Sequence, residues 1–571
     1  MKRRTALMGA VAAAALVPGM VMADERTRGS SGNLNVIYWQ AVSTMNPFLS
    51  GGTKEMNASS IVLEPLARFD NMGELVPWLV DELPTLENGG VSEDLKSITW
   101  TLTEGLLWSD GTDVTSADVV FTYEYCTHPE GGCSYRDRFA GIESVEAVDD
   151  LTIKITFEDA TPNPYLPFVG AGSPIIQQAQ FAECMGARAP ECTDANFAPV
   201  GTGPYTVADF RPNDVIQFVA NEHYRVPTQP YFESITWAGG GDANGAARAV
   251  FQTGEMDYAW NLQLAPEVIA QMESGGQGQL LVDFGPLMER IEINFTDPSP
   301  SLPEGERATR QHPHPILSDI MVREALSRAI DRELLTEIGF GPMGMATCNF
   351  IVAPPAMASP NNDNCLVQDM DRANELLDEA GWERGADGIR TKDGRRLELL
   401  FQTSTNAVRQ DFQALIQQWW REIGVETRLR NVDAGVFFGS DPGSNDTYLK
   451  FYADVQMYAS LFEGTDPTPH LEQRRCGREP QPSTQWQGQN INRYCNEEYD
   501  ALWAELNREP DPDRRQELVI ALNDMFVQDY AHLPLVARGR VSAASNSIGG
   551  IVLNVWDSEH WNQAEWYRIE D

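Results

Sequence analysis

Apolar and polar positions change period along the chain, and each change marks an element. From Asn33 the segment LNVIYW reads as a first strand. Trp100 and Leu102 alternate with Thr99, Thr101 and Thr103, the period of two of a half-buried strand. Ser109-Asp110-Gly111-Thr112 then carries turn chemistry. Thr115-Ser116-Ala117-Asp118 has capping-box spacing, with Asp in place of Glu or Gln, and predicts a helix through Val119, Val120 and Tyr123. Leu151 to Phe157 (LTIKITF) alternates as a further strand. Pro199-Val200-Gly201-Thr202-Gly203-Pro204-Tyr205 predicts a tight turn in which two glycines allow unusual dihedrals and Pro204 fixes φ. Later the period lengthens. Val322, Leu326 and Ile330 recur every fourth position on a helix that Asp319 would cap, with Arg323 and Asp331 as its solvated or ion-paired positions. Asp371 to Gly381 and Asn406 to Gly424 are amphipathic helices ending at glycine; the second aligns Phe412, Leu415, Ile416, Trp419 and Ile423 on one face. Strands at Leu397–Phe401 and Val425–Leu429 flank that helix, which predicts a right-handed βαβ unit with parallel strands. Ile291 to Phe295 and Val455 to Tyr458 complete the strands.

A chain of 571 residues exceeds one ordinary core, so two or three lobes are expected. Lys2, Arg3 and Arg4 precede an apolar stretch from Met8 to Val17, and Val21-Met22-Ala23 supplies small residues before Asp24. This reads as an export signal cleaved after Ala23, with the general and twin-arginine routes both open. The apolar stretch is shorter than the roughly 20 residues of a membrane span. A formal net charge of −41 makes nucleic acid and anionic lipid surfaces poor partners, since both reward basic patches. All eight cysteines follow the signal as close pairs: Cys126/Cys133, Cys184/Cys192, Cys348/Cys365 and Cys476/Cys495. An even number in an exported chain reads as disulfides, most simply paired in sequence. The spacings do not suit zinc, and His312 and His314 in QHPHP read as loop residues, so no metal site is expected. GxSxG, HExxH, Walker A and EF-hand patterns are absent; no catalytic residue and no cofactor are predicted.

The wording of the stretch from Ile98 to Tyr125 resembles the extracytoplasmic solute-binding proteins of peptide and nickel ABC importers, bacterial solute-binding family 5. Matching segments recur in order. They include Ser43 to Pro47, Ile61 to Asp70, Leu75 to Leu79, the PVGTGPY turn, Asn221 to Tyr224, Ala246 to Tyr258, Pro315 to Arg332 and Pro534-Leu535. The resemblance implies an α/β, two-lobed periplasmic-binding-protein fold of the large (type II, cluster C) kind, with an extra subdomain in lobe I. Residues 33–76, 200–298 and 532–571 would form lobe I, 77–199 the inserted subdomain and 299–531 lobe II, with a first crossing between lobes near Ile291–Phe295. It implies a monomeric binding protein, not an enzyme, that closes on a short peptide or related small solute and presents it to an inner-membrane ABC permease. An oligosaccharide, an opine-like conjugate or a metal chelate are the alternatives within that class; a secreted hydrolase is the alternative outside it. The family's peptide-binding loop "W-x-x-D-x-x-[DE]-P", aligned on Asp466-Pro467, puts Glu463 where an acid holds the ligand's α-ammonium and Ser460 where the Trp stands. Gly464 and Asp466 belong to the same loop, Asp466 also reading as a turn or helix cap. Tyr38, Trp39, Trp260 and Trp486 are the aromatic candidates for the cleft, and Asn46 is a candidate that could equally orient its own loop.

Overall fold

The computed structural model describes residues 26–569. The expected export signal, residues 1–23, lies outside the described residues. Two sheets organise the protein. The first has seven strands in the order Gly278–Asp283, Arg540–Ser545, Tyr258–Ala259, Asn33–Tyr38, Ser234–Gly239, Val215–Ala220 and Tyr205–Arg211. Asn33–Tyr38 runs parallel to both neighbours and buries Leu34, Val36 and Tyr38, as strand periodicity requires. The second has six strands in the order Gly344–Ala346, His532–Arg538, Met288–Ile293, Val455–Ser460, Glu398–Ser404 and Glu426–Val432. Its last two strands are parallel, Glu398 opposite Glu426, and helix Ala407–Glu422 joins them with Asn406 as N-cap. That is the predicted βαβ unit.

The chain leaves the first sheet after Asp283, enters the second at Met288, and returns through Gly539, the single residue between strands His532–Arg538 and Arg540–Ser545. Strands 288–293 and 532–538, which sequence had placed in lobe I, are therefore hydrogen-bonded members of the second sheet. Both are buried along their whole length, so neither shows the alternation that would assign it to one core.

The region expected as an inserted subdomain holds a three-stranded sheet, Ser97–Thr101, Thr152–Phe157 and Ile142–Ala147, with helix Ser116–Thr127. The Thr115 N–H donates to Asp118 Oδ2 at 3.0 Å, so the shorter acid still closes the helix start. Gly111 takes φ +83° in the preceding turn, which explains glycine there. Helix Ile320–Arg328 starts as expected, Asp319 accepting the Met321 N–H, but ends earlier. Asp331 caps a second helix, Arg332–Gly339, and Arg323 is buried, donating to the carbonyls of Leu317, Ser318 and Asp529 rather than lying in solvent. The cysteines pair in sequence, Cys126–Cys133, Cys184–Cys192, Cys348–Cys365 and Cys476–Cys495, with Cα separations of 4.9, 5.7, 5.8 and 4.6 Å. Among the described residues no helix is long and apolar enough to cross a membrane.

Candidate ligand-binding site

A cavity of about 440 Å³ lies between the two sheets and takes its lining from both and from the region of the three-stranded sheet. The second sheet supplies a charged wall. Strand Met288–Ile293 reads MERIEI, and its three charged side chains are all buried. Glu289 accepts two bonds from Arg409, Nε and Nη2 each at 3.0 Å, and a third from Arg538 Nε at 2.9 Å. Burial alone would raise the pKa of this carboxyl, but the two guanidiniums outweigh it and hold it at about 2. Arg290 grips Glu292 through Nε at 2.8 Å and Nη2 at 2.6 Å, and lies 4.4 Å from the Tyr458 ring centroid. Arg474 follows at 4.0 Å from Glu292. Burial pulls both Arg474 and Arg538 below the usual guanidinium range, with a neighbouring arginine adding to each. His470 and His532 are driven well below the ordinary imidazole value, first by burial and then by Arg474 and Arg290, so both are neutral. The Tyr458 hydroxyl and Arg474 Nε are buried without a hydrogen-bond partner among the described residues.

Across the cavity stand Gln40, Lys54, Trp260 and Arg540, together with Tyr135, Asp137, Arg138 and Asn163. Several bonds join the walls directly. Gly51 N–H donates to Phe438 O at 3.0 Å, Gln489 N–H to Asp137 Oδ2 at 2.9 Å, and Gln489 Nε2 to Ser134 O at 2.8 Å. The two halves are thus drawn together around the cavity.

Of the residues named from sequence, Glu463, Asp466, Trp260 and Ser460, which stands at the loop's Trp position, line the cavity. The Glu463 carboxylate, expected to meet an ammonium, is already held: it pairs with Arg138 and accepts the Gly172 N–H at 2.9 Å. Burial raises its pKa, Arg138 working against that and Asp557 with it. Asp466 binds Arg515 at 2.7 Å and Asn163 at 2.6 Å, and its other oxygen accepts the Thr468 N–H at 2.9 Å, the turn-capping role. Trp260 stacks on Tyr38 at 4.5 Å. The remaining candidates stand away from the cavity lining. Tyr38 is buried behind Trp260, bonded to His560 and Asn57, and Trp39 donates to Asn261 O. Asn46 orients its own loop, accepting the Phe48 N–H at 3.1 Å and donating to Asn196 and Tyr125. Trp486 packs edge-on against Tyr452. Gly464 is a turn residue at φ +72°, where a Cβ would press into the Phe69 ring. Sequence reading missed Arg290, Arg409, Arg474 and Arg538; for Arg290 and Arg538 the available signal was charge inside the apolar strands MERIEI and HLPLVAR.

Guanidiniums, a phenol and backbone groups around a cleft are equipment for holding a solute with polar groups, and the two sheets with two chain crossings define a two-lobed solute-binding protein. The chain belongs to the bacterial extracellular solute-binding proteins, family 5, whose model matches residues 74–473. It is 26% identical over 509 residues, 89% of each chain, to the glutathione-binding protein GsiB of Shigella boydii. Its fold is that of the oligopeptide-binding protein AppA from Bacillus subtilis in complex with a nonapeptide (TM-score 0.79, 19% identity, 96% of this chain and all of that one). The oligopeptide-binding protein of Thermus thermophilus complexed with a pentapeptide is similarly alike (TM-score 0.80, 19% identity, 94% and 96%).

Proposed function

We propose that this chain, exported to the periplasm, is the monomeric substrate-binding component of an ABC importer and captures a short peptide or peptide-like solute for an inner-membrane permease. The observation that carries this reading is the cavity between the lobes, lined by charged and aromatic side chains from both. Its volume of about 440 Å³ falls in the range of roughly 300–1,000 Å³ typical of small-ligand sites. The names of the relatives, glutathione-binding and oligopeptide-binding, support a peptide-like ligand. Capture works by population shift: contacts made with both walls at once favour the closed arrangement over an open one. Trp260 and Tyr448 offer aromatic surface at small entropic cost, while the arginines and backbone fix polar groups. No bond in the solute is broken.

The test is mass spectrometry of the solute that co-purifies, followed by acid hydrolysis and calorimetric titration of the protein stripped of it. Stoichiometric retention of an unaltered solute that hydrolyses to amino acids is expected. A solute that yields no amino acids removes the peptide reading, and one released chemically changed by the protein restores the hydrolase.

A further inference from the structure

Where the two walls meet, glycine stands on one side and a side chain of the other wall presses on it. A Cβ placed on Gly51 would overlap the Tyr448 hydroxyl and lie 3.0 Å from its Cζ. One on Gly131 would lie 2.8 Å from Gln485 Cβ, and one on Gly464 meets the Phe69 ring. Gly131 belongs to the loop closed by Cys126–Cys133 and Gln485 to the loop closed by Cys476–Cys495.

Gly51 differs from the other two glycines. Gly131 and Gly464 take positive φ and Gly51 does not, so alanine would suit its backbone. The three atoms nearest to a Cβ there all belong to Tyr448, in the opposite wall, so nothing in its own lobe stands as close. Glycine is therefore needed at 51 only when the lobes meet. Tyr448 has little room to retreat. It is buried, edge-on to Tyr458 at 5.5 Å, and its main chain is held by Phe437 O at 2.8 Å and Gln456 Nε2 at 3.1 Å. Main-chain pairing aligns the two sides. Ser50 forms an antiparallel bridge with Gly439, Gly51 N–H donates to Phe438 O at 3.0 Å, and Ser440 Oγ donates to Leu49 O at 2.6 Å.

We propose that Gly51 and Tyr448 form a stop that fixes how far the cleft closes. The lobes come together until the phenol meets the bare Cα, and the bridge beside it holds them at that spacing. Both residues line the cavity, so the stop stands at the edge of the space it sizes. They are positioning residues: they set the distance between the walls, and with it the room left for any solute. This inference deepens the function proposed above and rests on the lobes closing on a solute.

The probe is the pool of solute released from the purified protein, added back to the stripped protein and followed by calorimetry and small-angle X-ray scattering. Gly51→Ala should leave the urea midpoint of the stripped protein unchanged and weaken binding at least about tenfold. Its loaded form should scatter as a larger particle than the loaded native protein. Removing the hydroxyl should relieve the overlap, so that in a Tyr448→Phe background Gly51→Ala costs less than about threefold. Comparing losses within each background cancels any bond that the hydroxyl itself makes to the solute. Equal losses in the two backgrounds, an unchanged affinity, or a lowered midpoint of the stripped Gly51→Ala protein each overturn the stop. The chemistry of the pool is read separately, so a pool that contains no peptide defeats the peptide reading and leaves the stop standing. A native protein that scatters alike stripped and loaded overturns the closing of the lobes, and the stop with it.

Discussion

Glu289 shows how one buried carboxylate fixes a wall of the site. It carries three hydrogen bonds from Arg409 and Arg538, and its pKa falls from the ordinary 4.5 to about 2 on folding. A carboxyl shifted downward stabilises the native state above its unfolded value, and that contribution is lost as pH falls from about 4.5 through about 2. The difference corresponds to about 3 kcal/mol. Glu463, Glu472, Glu559 and Asp137 are shifted upward by burial and act in the opposite direction, but they are common to native protein and variant. Glu289→Gln should therefore cost about 3–5 kcal/mol near neutrality, because it strands two buried guanidiniums. The deficit should shrink toward pH 2. Urea unfolding across that range measures it, and a deficit independent of pH would show that Glu289 is not held ionised by its arginines. Sequence could name Glu463, Asp466 and Trp260 as cavity residues because a loop pattern and an aromatic beside a strand are local features. The arginines that hold Glu289 come from 120 and 249 positions away, beyond the reach of any local pattern.

At the scale of elements, the strands and helices with a single buried face were legible, and their uses sometimes were not. Gly201 and Gly203 illustrate the gap. The expected unusual dihedrals do not occur: neither residue is among those at positive φ. What glycine provides is close approach, since a Cβ at Gly201 would overlap the Val62 carbonyl and one at Gly203 the Ile61 carbonyl. The same turn meets the opening motif, Ser109 N–H donating to Gly201 O at 2.9 Å, so two stretches singled out from sequence dock on one another. Gly201→Ala should cost about 1–3 kcal/mol or more by overpacking, read from the denaturation midpoint. A fully stable variant would mean that the segments can separate freely. The Cys476–Cys495 disulfide has a role tied to the site. It closes 19 positions of chain that hold Gln489, a residue of the cavity lining, against Asp137 and Ser134. Replacing both cysteines with serine should lower stability by about 3 kcal/mol on the loop-entropy estimate and weaken solute binding as well. Weaker stability with unchanged affinity would separate the staple from the site.

For the whole molecule, the question is whether Glu463 holds the ligand or holds the lobes together. It leaves the six-stranded sheet just after strand Val455–Ser460, and its partners Arg138 and Gly172 lie on the opposite side of the cavity. The pair therefore spans the cavity, in company with Gly51 to Phe438, Asn163 to Asp466 and Gly464 to Trp556. An interaction made only when the halves meet biases the equilibrium toward closure, and every solute that needs closure gains from it by the same factor. Losing a carboxylate that supports about 1–3 kcal/mol of charge-assisted bonding should weaken binding by roughly one order of magnitude. Glu463→Gln is accordingly expected to reduce affinity equally for a peptide with a free amine and for its acetylated counterpart. The same variant without solute should scatter X-rays as a more open particle than the native protein does. A loss confined to the free-amine peptide, with an unchanged scattering profile, would return Glu463 to the role that sequence gave it. In that case Arg138 would have to yield its carboxylate to the incoming ammonium, and the double variant Arg138→Gln, Glu463→Gln would lose no more affinity for that peptide than Glu463→Gln alone.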